Sequence, residues 1–166
     1  MTPSSLTSVL VIGIGNPARE DDGLGPAAAG IIEQTAIPEV TVDADYQPVV
    51  EDAARVAEYD TVVFVDASIN GPEPFSFAPV VPERQESYST HTLRPSGVAA
   101  LARDLFDADA ETYVLGIRGY SFNHFTETMT PQALDNLEKA VDFLIPVLTD
   151  RSFREAVGNT IDGILN

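Results

Sequence analysis

The chain has 166 residues, 44% of them hydrophobic and 21% charged, with no cysteine; it can bury a core without staples, and disulfide frameworks, thiol nucleophiles and Cys-ligated metals are excluded. Acids outnumber bases 26 to 9, for a formal net charge of −17, which excludes a nucleic-acid partner because phosphate binding rests on basic patches.

Val9-Leu10-Val11-Ile12 is a short apolar run that enters Gly13-Ile14-Gly15, the pattern of a buried strand leading into a tight loop. Gly25-Pro26 then opens a helix through Ile31 and Ile32. Val40-Thr41-Val42, with Asp43 and Asp45, reads as a second strand, and residues 50–57 as a short helix with Ala53, Ala54 and Ala57 inward. Thr61-Val62-Val63-Phe64-Val65 is the clearest central strand and ends at Asp66. Residues 75–81, interrupted by Pro79, suit an edge strand.

A polar loop over residues 82–94 precedes a helix that starts near Pro95 and carries Val98, Leu101 and Leu105 at helical spacing. Residues 113–117 form another buried strand, ending at Arg118-Gly119. Thr130-Pro131 is a cap followed by proline at the first helical position. The helix it opens has the stripe Leu134, Leu137, Val141, Leu144 and Leu148, with Pro146 kinking it or marking its last turns. Strands alternating with helices predict an α/β protein: a three-layer sandwich whose central, mostly parallel twisted sheet of about five strands is flanked by helices. A single domain over 1–166 is expected, with a core of about 8–149 and a tail over 150–166 that adds a weak helix or frays. No run is long enough to span a membrane, and the start, MTPSSLTS, has no positive leader region. A cytoplasmic monomer is expected.

In open α/β sheets functional groups collect beyond the carboxyl ends of the strands. Three such places hold chemistry: the loop over residues 13–25, the strand end at Asp66, and Ser89-Thr90-His91. The first loop matches a G-x-G-x-x-A dinucleotide fingerprint, with Asp43 or Asp45 as the ribose acid. A lone match of this kind is weak, Glu20, Asp21 and Asp22 would repel a pyrophosphate, and Pro17 lacks an amide donor. Its Gly-x-Gly-Asn-Pro opening is shared with peptidyl-tRNA hydrolases, whose substrate demands a basic face that this chain lacks. Asp22, Asp66 and His91 together offer two carboxylates and an imidazole, a donor set for a borderline divalent ion with a position left open. Taken singly, each has a plain alternative: Asp22 or Asp66 as a cap, and His91 as a surface loop residue.

In their order, these blocks resemble the hydrogenase maturation endopeptidases. The similarity rests on Gly13-Ile14-Gly15-Asn16 through Asp21-Asp22-Gly23-Leu24-Gly25, on Val63-Phe64-Val65-Asp66-Ala67, and on Ser89-Thr90-His91. The resemblance implies an endopeptidase that removes the C-terminal extension of a nickel-iron hydrogenase large-subunit precursor after nickel insertion. It further implies that Asp22, Asp66 and His91 bind the substrate's nickel, for recognition or for catalysis, with Asp21 a rival to Asp22 if the loop is shifted by one. No tightly bound cofactor is expected beyond an adventitious divalent cation. The alternatives are a nucleotide-binding module and a non-cleaving, metal-sensing maturation chaperone. Where many relatives carry an Asp-Gly-Gly-Thr-like turn, this chain has Asp43-Ala44-Asp45-Tyr46-Gln47-Pro48, so its backbone takes another path there. Arg118 is expected to pair with an acidic neighbour, and His124 to have no ligand role.

Overall fold

The computed structural model describes residues 6–85 and 93–158. Five strands, β1 (Val9–Ile14), β2 (Val40–Asp45), β3 (Thr61–Ser68), β4 (Phe75–Pro79) and β5 (Glu111–Arg118), form one sheet in the order β2-β1-β3-β5-β4. All neighbours run parallel except the edge strand β4, which is antiparallel to β5.

Alternation along the strands sends side chains to two cores, as a period of two requires. Val9 and Val11 of β1, with Val63 and Val65 of β3, pack under α1 (Leu24–Thr35) and α4 (Pro131–Asp150). Leu10, Ile12, Val62 and Phe64 face α2 (Asp52–Val56) and α3 (Pro95–Phe106). The result is the three-layer sandwich expected from the alternation of elements. Glu20–Gly23 adds a 3₁₀ turn ahead of α1, and residues 153–158 are helical, burying Phe153 and Ala156 against the first core.

Some elements differ from expectation for local reasons. β3 does not end at Asp66 but runs on to Ser68, because β5 stays beside it, with Ala67 opposite Ile117 and Ser68 opposite Arg118. Leu105 and Leu134 leave their apolar stripes and are exposed, their places taken by Ala102 on α3 and by Ala133 and Ala140 on α4. α4 continues through Pro146; this residue is exposed, so the carbonyl it leaves without an amide partner faces the solvent side. Thr130 caps α4 as expected, accepting from the Ala133 amide at 3.3 Å. No helix among the described residues is long and apolar enough to cross a membrane.

Candidate functional site

The connection from β1 leads to β2 on one side, and the chain then returns across β1 to β3 on the other. The carboxyl ends of β1 and β3 therefore flank the point where strand order reverses, the usual crevice for a ligand in such sheets. A cleft of about 600 Å³ opens there, lined by Ile14, Gly15, Asp22, Asp66 and the 46–48 turn, with Gln85, Leu93 and Arg94. Asp22 and Asp66 are thus brought together. His91 lies outside the described residues, but the residues flanking that stretch, Gln85 and Leu93, both line the cleft.

Each carboxylate is held by a backbone amide. The Asn16 amide donates to Asp22 Oδ2 at 2.8 Å, and the Ala67 amide donates to Asp66 Oδ1 at 2.8 Å. Neither is a helix cap: Gly23 is the N-cap of α1, with no side-chain cap bond, and Asp66 lies within β3. The second oxygen of each has no hydrogen-bond partner among the described residues. Burial pushes the Asp66 carboxyl up to about 6, the Ala67 amide opposes this, and the Asp22 charge adds to it. Two adjacent carboxylates, one of them desolvated, form a site whose strain a cation relieves. Among the described residues no third acid or imidazole joins them as a metal ligand.

Loop 13–25 is built for close packing and not for phosphate. A Cβ at Gly25 would lie 2.3 Å from the Ile14 carbonyl oxygen and 2.5 Å from that of Val65, so glycine lets α1 sit directly on β1 and β3. Gly15 has φ +139°, and a Cβ there would meet the Asp22 carbonyl oxygen at 1.9 Å. The loop amides are already used. Gly15 donates to Asp45, Asn16 to Asp22, Ala18 to Asn16 and Glu20 to Thr126, while Asp21 donates to Ser121 and Asp22 to Arg19. A phosphate would find no free amide cradle among them. Asp43, a candidate ribose acid, pairs instead with Arg55 at 2.7 Å.

Asp21, the rival to Asp22, is fully buried and spent. Its Oδ2 accepts from the Tyr120 and Ser121 amides and from Thr130 Oγ1, and its Oδ1 accepts from the Thr130 amide at 2.8 Å. It ties the 3₁₀ turn to the 119–130 loop and the start of α4. His124 pairs with Glu20, Nδ1 to Oε1 at 3.3 Å; the Ser121 hydroxyl foremost, and His124 after it, hold the Glu20 carboxyl below its usual range. Arg118 does not pair with an acid among the described residues. Its guanidinium donates to the Gly71 and Gly119 carbonyls and lies over the Tyr120 ring, because the β3–β4 connection brings carbonyls within its reach. The sequence did not single out Gln85 or Arg94, although an arginine directly before the proline that opens a helix is an unusual cap and was a usable signal.

No protein-family model matches the chain, and no curated protein matches it. Solved structures do. The [NiFe] hydrogenase maturation protease HycI from Thermococcus kodakarensis KOD1 superposes with a TM-score of 0.69 at 24% identity, over 87% of this chain and 94% of that one. The hydrogenase maturating endopeptidase HybD from E. coli gives 0.66 at 19% identity, over 87% and 93%. An uncharacterized protein from Wolinella succinogenes gives 0.59 at 22%, over 97% and 100%. At these identities the likeness establishes that this chain has the fold found in hydrogenase maturation proteases.

Proposed function

We propose that the protein is the endopeptidase that trims the C-terminal extension from a nickel-iron hydrogenase large-subunit precursor once nickel is in place. The observation that carries this is the joint placement of Asp22 and Asp66 in one cleft at the strand-order switch of this fold. The named activities of the structural neighbours agree with it. In this reading the metal arrives with the substrate. Asp22 and Asp66, each pinned by an amide, offer their second oxygens, and His91 supplies the third donor. The precursor's nickel is thereby both the recognition signal and the point from which the scissile bond is positioned. The attacking water is activated either by that metal or by a carboxylate of the pair. The protein is taken to act as a monomer in the cytoplasm.

Incubating the chain with nickel-loaded and nickel-free precursor, and weighing the products, tests this. Loaded precursor alone should lose its tail. If neither form is cut, the peptidase reading fails and a non-cleaving chaperone stands; if both are cut equally, nickel is not the signal. His91→Ala should abolish processing while His124→Ala retains it, and equal activity of the two would overturn the ligand set.

A further inference from the structure

The cleft that holds Asp22 and Asp66 also has a cation with no partner among the described residues. The chain has nine basic residues against 26 acids. Arg55, Arg84, Arg103, Lys139 and Arg154 each pair with a carboxylate. Arg19, Arg118 and Arg151 donate to backbone carbonyls. Arg94 is the ninth. Its side chain is exposed and lines the cleft, yet among the described residues its guanidinium has neither an ion pair nor a hydrogen bond. In so acidic a chain, this is not for want of carboxylates.

Its position gives the same indication. Arg94 is the N-cap residue of α3, with φ −103° and ψ 161° and no side-chain cap bond. Such positions favour Ser, Thr, Asp or Asn, and the positive end of the helix dipole disfavours a cation. Arginine here therefore works against the helix it opens. Its backbone, by contrast, is fixed: its amide donates to Gln85 Oε1 at 2.9 Å, its carbonyl accepts from the Val98 amide at 3.0 Å, and Pro95 confines it to extended geometry. A firmly placed Cα thus carries an unengaged guanidinium into the cleft.

We propose that Arg94 is a specificity-determining residue that grips a carboxylate of the peptide segment entering the cleft, a proposal that rests on the peptidase reading of that cleft. The planar guanidinium fork matches a carboxylate in two parallel hydrogen bonds. Among the described lining residues Arg94 is the one cation, set in the same cleft as two acids. The cleft therefore has two poles, carboxylates for a cation and guanidinium for an anion, and together they fix the direction in which a peptide lies. The carboxylate is either an acidic side chain near the cut or the terminal carboxylate of the tail.

The test uses the full chain labelled with ¹⁵N-arginine, with the Arg94 Nε–H resonance assigned by its loss in Arg94→Gln. The probe is a synthetic peptide spanning the precursor's cleavage junction and tail, in three further forms: acidic side chains amidated, terminus amidated, and both. The unmodified peptide should shift the resonance and the doubly amidated one should not; whichever single amidation abolishes the shift identifies the source. No shift with any form, or an equal shift with all four, overturns the proposal. In processing assays, Arg94→Gln should raise KM for loaded precursor about ten- to a hundredfold, leave kcat within about twofold, and be partly rescued by Arg94→Lys. An unchanged KM also overturns it. If the wild-type chain leaves the precursor uncut, the peptidase reading falls, while the resonance still decides whether Arg94 holds a carboxylate.

Discussion

Asp21 and Asp22 are sequence neighbours with opposite tasks, and the difference is measurable. Asp21→Ala leaves the Tyr120, Ser121 and Thr130 amides without their acceptor, and each buried donor left unpaired costs about 1–3 kcal/mol. Denaturant unfolding of Asp21→Ala should therefore show a loss of about 3 kcal/mol or more, whereas Asp22→Asn should change stability little. Asp66 behaves in the reverse sense. Its folded value of about 6 stands above the ordinary 3.8 of an aspartate, so the folded state binds the extra proton between those limits. The stabilisation that goes with that proton is fully present below pH 4 and is lost as pH rises through 6, by up to about 3 kcal/mol. Asp66→Asn should thus be more stable than wild type at pH 8, with the difference vanishing below pH 4, and it should be inactive. Processing by wild type should decline on the acid side of pH 6, as the carboxylate that the metal needs is protonated. A flat profile between pH 5 and 8 would remove Asp66 from the chemistry.

At the level of elements, the sheet and its helices were legible because apolar runs, glycines and proline starts agree with one another. Asp66 was legible as a strand end because the apolar run stops there, although the backbone ladder continues along β5 to Ser68. What the pattern of residues did not carry was which of two adjacent acids faces the cleft. That depends on the 3₁₀ turn, whose form is set by partners about 100 positions away, at Tyr120 and Thr130. Arg94 escaped notice for a related reason: that it is unpaired among the described residues emerges only once the other basic residues have found their partners. The α1–sheet contact yields a sharp prediction. Gly25→Ala would drive a methyl group into the carbonyls of Ile14 and Val65, and neither backbone can move without parting β1 from β3. Circular dichroism on Gly25→Ala should show a fold lost or weakened by about 3 kcal/mol or more, while Gly30→Ala, where a Cβ meets nothing within 4 Å, should be neutral or slightly stabilising.

For the whole molecule, the charge of −17 is the dominant property. Self-repulsion of this size destabilises the compact state at low ionic strength, and salt screens it within about 10 Å at 0.1 M. Urea midpoints should therefore rise between 10 mM and about 0.5 M sodium chloride. An unchanged midpoint would mean that the surface acids are already neutralised by local pairing. The same field attracts cations towards the cleft from a distance and repels the acidic parts of any partner that does not present its charge to Arg94.

The alternation of Asp21 and Asp22 has one more consequence, for length instead of chemistry. Because one acid is locked to the start of α4 and the next looks into the cleft, the segment from Pro17 to Asp22 behaves like a toothed rack with a pitch of one residue. Deleting a single residue there would advance the rack by one tooth, carrying Asp22 into the buried donors of Thr130 and putting Gly23, which has no carboxylate, at the cleft, while an insertion would force the longer Glu20 into the buried position. Substitution at its exposed Ala18 is tolerable, but the length of the segment is not free to drift.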